Sequence, residues 1–251
     1  MKIISIYNIK GGVGKTAAAV NMAYMSAGDG FKTLLFDLDP QGSASYYFRV
    51  KAPKKASPEK LLKGGRKLEK KIRGSDFHNL DILPSHISYR NLDLTLDSKK
   101  RSKERINEIL RPFEKDYDII FIDCPPNVTL LSENIFLASD KIVIPVIPTT
   151  LSVISYRKLM DFFVDSGLDI SKILAFFSMT EKRKKLHREI IEKMPAKESG
   201  FFFKSHIPYS SHMEKMGVYR KPLLEFMPDS PAAKSCRNLW DELKTLVLNQ
   251  T

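Results

Sequence analysis

The feature that most constrains this chain is Gly11-Gly12-Val13-Gly14-Lys15-Thr16, set between a short apolar run, Ile3 to Asn8, and a helical stretch, Thr16 to Ala27. Closely spaced glycines let successive backbone N–H groups turn inward and cradle phosphate oxygens. A helix opening directly after them adds the positive end of its dipole. The spacing puts Lys15 where it reaches β- and γ-phosphates and the Thr16 hydroxyl where it ligates Mg2+. The common form of this loop carries a glycine five residues before Gly14, but here Ile9 holds that place and an additional lysine, Lys10, follows it. Lys15 already fills the position near the nucleotide. Lys10 is therefore expected to project away from it, where it can reach the phosphates of a second copy facing the first.

Beyond the loop, apolar runs alternate with helical segments. Thr33 to Leu38, Leu80 to Leu83, Asp118 to Ile122, Lys141 to Val146, Leu174 to Ser178 and Phe201 to Ile207 read as further strands. Their lack of polar alternation implies burial on both faces, as in a parallel sheet. The expected fold is therefore α/β, a three-layer sandwich around a mostly parallel twisted sheet, built as one domain over residues 1–251.

Two strand ends carry carboxylates. Asp37-Leu38-Asp39-Pro40-Gln41-Gly42 closes the second strand, and alternation on a strand predicts that Asp37 and Asp39 point the same way. Asp123 follows the apolar run Ile119 to Ile122. Acids at the carboxyl ends of sheet strands border a phosphate site, where they hold hydrated Mg2+ or position water. Thr16, Asp37 and Asp123 are the expected metal residues.

These motifs resemble the ParA/MinD superfamily, the P-loop ATPases with a deviant Walker A box. KGGVGKT matches its loop, DLDPQG its second signature and DCPP its Walker B segment, and the likeness continues through SDKIVIPVIPTTLSVISYRKL, SHIPYS and Lys221-Pro222-Leu223. Arg220 stands where the family usually has glycine. No helix-turn-helix precedes the loop, so the likeness is to the short ParA/Soj group. The resemblance implies ATP and Mg2+ as ligands, bound by Lys10, Gly11, Gly12, Val13, Gly14, Lys15, Thr16 and Ala17, with Met179 and Pro208 on either side of the adenine. It implies catalytic roles for Lys10, acting across a nucleotide-sandwich homodimer, for Lys15, and for Asp39, organising the attacking water. It also implies a chromosome or plasmid partition ATPase whose ATP-bound dimer binds double-stranded DNA non-specifically. A ParB-like partner or cargo adaptor would stimulate hydrolysis and release it. A membrane-positioning ATPase like MinD, or one moving conjugative DNA or protein cargo, is the alternative. Cys124 and Cys236 do not supply the paired cluster cysteines of the iron–sulfur relatives and are expected to pack.

Charge bears on the partner. The chain has 251 residues and a formal net charge of +12, which permits contact with nucleic acid or anionic lipid without choosing between them. From Lys51 to Arg73 ten Lys/Arg face two Glu, and this stretch is expected to be an exposed, mobile excursion. A second basic run spans Lys99 to Arg105. A third, Lys182 to Lys185 with Arg188, is expected on a helix. Lys182, Arg183, Lys185, Arg188, Arg220 and Lys221 are the candidate DNA contacts, by backbone phosphate rather than base stacking because aromatics are sparse among them. The last segment, Asn238 to Thr251, has apolar residues at helical spacing but one Lys against Asp241 and Glu242, which suits packing on the sheet better than a membrane surface. With no signal-peptide layout, no apolar run near the roughly 20 residues a membrane span needs, and two cysteines, the expected location is the cytoplasm; the resemblance to ParA/Soj implies association with the nucleoid there.

Overall fold

The computed structural model describes residues 1–98, 102–198 and 200–248. Eight strands form one sheet: β1 (Lys2–Ile6), β2 (Thr33–Asp37), β3 (Arg73–Gly74), β4 (Leu80–Leu83), β5 (Ile119–Asp123), β6 (Lys141–Val146), β7 (Ile173–Phe177) and β8 (Phe201–Phe202). Their order across the sheet is β3-β4-β2-β5-β1-β6-β7-β8, and only β3 runs antiparallel to its neighbour. The helices are α1 (Lys15–Gly28), α2 (Ser43–Tyr47), α3 (Pro58–Lys63), α4 (Arg66–Glu69), α5 (Leu92–Asp97), α6 (Arg105–Leu110), α7 (Leu130–Ala138), α8 (Thr150–Asp165), α9 (Lys185–Lys193), α10 (Ser211–Tyr219), α11 (Leu223–Phe226) and α12 (Pro231–Leu248).

The three-layer expectation holds because the strands are apolar on both faces. In β5, Ile119 and Phe121 join the core beneath α1 and α12, while Ile120 and Ile122 join the core on the opposite face with α7 and α8. Strand β2 divides the same way, with Leu35 on the first side and Leu34 and Phe36 on the second. The six central strands lie as the apolar runs indicated, with ends shifted by a residue or two. Only Phe201–Phe202 of the expected last strand is extended pairing; beyond it Ile207 N still donates to Phe177 O at 2.9 Å, and Thr180 bridges Pro208.

Two expectations are corrected. The stretch from Lys51 to Arg73 is not a free excursion: Ser57 accepts from Lys60 N, Pro58 opens α3, and Leu61, Leu62 and Leu68 sit fully in the core. Its lysines and arginines ring a short apolar anchor. The third basic run is only partly helical, since α9 begins at Lys185 and leaves Lys182 and Arg183 in the preceding turn. Of the second run, Lys99, Lys100 and Arg101 lie outside the described residues. Its remaining members are paired: Lys103 with Glu133 at 2.8 Å and Arg105 with Glu108.

Helix α12 closes the molecule. Leu239, Trp240 and Leu243 are buried against α1 and the sheet, and Trp240 Nε1 donates to Asp29 Oδ2 at 2.8 Å, just past the end of α1. Trp240→Ala removes the largest buried side chain, while Asp29 Oδ2 keeps the Lys244 ammonium at 2.6 Å. A loss of about 3–5 kcal/mol in stability is expected by denaturant titration; an unchanged midpoint would show that α12 is not part of the cooperative core.

Candidate functional site

The loop after β1 is shaped by groups that sequence reading did not single out. Asn8 Nδ2 donates to Pro145 O at 2.8 Å, and its Oδ1 accepts from Lys10 N at 2.9 Å, tying the loop to β6. Ser178 Oγ donates to Val13 O at 2.7 Å from the end of β7. Gly12 and Gly14 take φ of 72° and 92°, a region that a side chain would strain. Ile9, in the place of the absent glycine, packs at the edge of the core.

Lys15, the first residue of α1, is buried and folds back so that Nζ donates to Lys10 O at 3.0 Å. Burial lowers its pKa, against the pull of Asp123, Cys124 and Asp39. The ammonium therefore sits in a partly desolvated place with negative charge close by. Lys10 lies on the other side of the loop, its Nζ donating to Ser152 Oγ at 3.3 Å near the start of α8. Cations are disfavoured at a helix N-terminus, so this contact is a weak resting place.

Parallel pairing of β2 with β5 sets Asp37 directly beside Asp123, and both are fully buried. Ser45 donates to Asp37 Oδ2 through its amide at 2.8 Å and its hydroxyl at 2.6 Å. Asp37 Oδ1 and both Asp123 oxygens have no hydrogen-bond partner. Two buried neighbouring carboxylates disfavour each other's charge. Burial, only partly offset by Ser45, pushes Asp37 up to about 7, with Asp39 adding to the rise. Burial and then Asp37 push Asp123 well above the carboxylate range, against the nearby Thr16 hydroxyl and Lys15. Such a pair is unsatisfied until a cation arrives. Among the described residues no three His, Cys, Asp or Glu side chains converge as a cage. Mg2+ needs none, because it keeps water and phosphate oxygens as most of its ligands.

Asp39 reaches the site by a different route from the one alternation suggested. Strand β2 stops at Asp37, and Asp39 belongs to the following turn, where its Oδ1 accepts from Gln41 N at 2.9 Å. It remains close enough to act electrostatically on Lys15 and Asp123.

On the far side of the loop, Gly14, Ala17, Met179 and Pro208 line one cleft, so the two residues expected around a base do face the start of α1. Met179 takes φ 52°, in the left-handed region. The candidate DNA residues divide in two. Lys182, Arg183, Lys185 and Arg188 gather at the start of α9, where Arg188 donates to Lys182 O at 2.8 Å and Lys185 pairs with Glu189 at 3.8 Å. Arg220 and Lys221 follow α10. Arg220 takes φ 50°, in the left-handed region that glycine adopts without strain, and its guanidinium lies 4.4 Å over the Tyr46 ring; Lys221 pairs with Glu225 at 3.4 Å.

A parallel sheet with a glycine-rich loop entering a helix, flanked by carboxylates from adjacent strand ends, defines a P-loop nucleoside triphosphatase. The AAA_31 family, an AAA domain, matches residues 1–174. The sporulation initiation inhibitor protein Soj of Bacillus subtilis is 29% identical over 249 residues, covering 96% of this chain and 98% of its own. The chromosome-partitioning ATPase Soj of Treponema pallidum is 28% identical over 246 residues, covering 96% of each. In fold, a Borrelia burgdorferi protein assigned to plasmid partition and bound to AMPPNP superposes with a TM-score of 0.83 at 24% identity, covering 98% of this chain and 99% of that one. The chain belongs to the AAA_31 family and is a ParA/Soj-like ATPase.

Proposed function

We propose that this ATPase couples ATP binding to pairing of two copies, that the pair binds duplex DNA without sequence preference, and that partner-stimulated hydrolysis releases it. The observation that carries the reading is the buried Asp37–Asp123 pair with three unpartnered oxygens, set beside a phosphate loop that displays a second lysine. Asp123 and Thr16 are the residues that would hold Mg2+, with Asp37 behind them. Bound there, the ion supplies positive charge against the β- and γ-phosphate oxygens. Lys15 needs only to leave Lys10 O to reach those oxygens. Asp39, held through one oxygen by Gln41 N, keeps the other to accept from the attacking water. Lys10 leaves Ser152 and completes the facing site of the second copy.

DNA binding follows from geometry doubled by pairing. Each phosphate neutralised adds about 0.9 to the slope of log affinity against log salt. A paired form presenting two basic surfaces therefore binds much more steeply than a single copy. Gel shift across a salt series with no nucleotide, ADP and ATP tests this: binding and a steep slope are expected with ATP alone. Equal binding in all three states would remove the switch. The partner is a ParB-like DNA-bound protein or a cargo adaptor, and the setting is the nucleoid in the cytoplasm. The membrane alternative has less support. Helix α12 buries its apolar face in the core, and no helix among the described residues is long and apolar enough to cross a membrane.

Lys10→Gln is expected to leave nucleotide affinity of the single copy within about threefold of wild type while weakening ATP-driven pairing roughly tenfold or more, the loss of one charge-assisted contact. Sedimentation with a non-hydrolysable analogue reads the pairing; unchanged pairing and turnover would refute the role across the interface.

A further inference from the structure

A second cavity opens on the other side of the Asp39–Gly42 turn. It measures about 570 Å³ and is lined by Gln41, Gly42, Lys51, Ser85, His86 and Arg220 among others, within the range of small-molecule sites. Its polar groups are of one kind. Lys51 and Arg220 are cations, and no carboxylate lines it. His86 Nδ1 accepts from Ser88 N at 3.1 Å, so the neutral ring carries its proton on Nε2 and offers that as a donor. Arg220 is held in place by its position over Tyr46 and by Nε donating to Tyr46 O at 3.1 Å. This leaves the terminal nitrogens of the guanidinium to bind.

The floor of the cavity carries an independent signal. Ser85 is 1% exposed and its Oγ has no hydrogen-bond partner. A buried hydroxyl without a partner is a cost that a ligand oxygen would remove. Two cations, an imidazole N–H and an unused hydroxyl converge on one space with nothing to repel an anion.

We propose that this cavity is a second anion site, taking a phosphate group. Its position gives it a route to the first site. Ser85 N donates to Ser45 Oγ at 3.2 Å, and Ser45 Oγ donates to Asp37 Oδ2 at 2.6 Å. Ser85 stands two hydrogen bonds from Asp37, and a phosphate bound to Ser85 stands three. Binding at this cavity does not require the nucleotide reading to be correct.

The test uses the full chain with its glycine-rich loop saturated by Mg2+ and a non-hydrolysable ATP analogue, titrated calorimetrically with inorganic phosphate at constant ionic strength. Saturable binding of one phosphate per chain is expected. Ser85→Ala and Lys51→Glu each weaken it roughly tenfold or more, the loss of a hydrogen bond to a charged ligand. The ligand-free melting temperature of Ser85→Ala stays unchanged, because the hydroxyl it removes has no partner. Lys51→Glu, at an exposed position, keeps the test open if Ser85→Ala fails to fold. A short DNA duplex added in competition separates the sources: displacement of phosphate assigns the site to the DNA backbone, and no displacement assigns it to a small phosphorylated compound. Heat without saturation (an adventitious ion only), or equal affinity in both variants and wild type, would overturn the proposal.

Discussion

Asp39→Ala lowers ATP turnover by about 10²–10⁴-fold, the usual worth of a positioned proton acceptor, while ATP-driven pairing and DNA binding remain. The split follows from where the side chain sits. Asp39 lies in the turn after β2, half-exposed, with Gln41 N holding one oxygen. Its side chain hydrogen-bonds to neither the buried Asp37–Asp123 pair nor the phosphate loop, so removing it takes a nearby negative charge from the site but leaves the binding groups in place. The loss falls on the one step that needs a proton accepted from water. Single-turnover hydrolysis and sedimentation on the same preparation check both halves. Wild-type turnover in the variant would mean that another group orients the water, and lost pairing would mean that Asp39 is part of the binding surface.

Lys15→Ala has a comparably large effect on a different quantity. Nucleotide affinity is expected to fall about a hundredfold or more, since a desolvated ammonium on the phosphates makes charge-assisted contacts and cannot be replaced by water at equal strength. Stability should move little or rise, because in the free chain the cost of burying this cation, which donates to Lys10 O at 3.0 Å, outweighs the pull of Asp123, Cys124 and Asp39 and lowers its pKa. Fluorescent-nucleotide titration and a melting curve together make the prediction specific. Retained affinity would dissolve the assignment of the loop. A large loss of stability would make Lys15 a folding residue.

Much of this architecture was legible because it rests on strong local signals. A buried parallel strand must be apolar on both faces, so β1, β2, β5, β6 and β7 could be read directly. A phosphate loop needs glycines at fixed places, and Gly12 and Gly14 indeed take positive φ. Charge misled where it masked a small apolar anchor. Between Lys51 and Arg73 the ten basic residues hid Leu61, Leu62 and Leu68, although Ser57-Pro58-Glu59 is a helix-start pattern that could have revealed α3. Alternation misled at Asp39 because a strand's period ends where the strand does, and Pro40 turns the chain. Ser45, Ser85 and Ser152 carried no signal at all. Their roles come from contacts across 8, 40 and 142 residues of sequence, which only the folded sheet creates.

The central claim is that each copy completes the other's site with Lys10. Mixing two inactive variants, Lys10→Gln and Asp39→Ala, tests it most directly. In a mixed pair, the site of the Lys10→Gln copy keeps its own Asp39 and receives Lys10 from the other copy, while the second site lacks both. At protein concentrations high enough for every combination to pair despite the weaker contact of Lys10→Gln, equal mixing should restore about a quarter of wild-type turnover, since half the pairs are mixed and each has one complete site of two. Turnover no higher than that of either variant alone, in mixtures shown by sedimentation to pair, would contradict it.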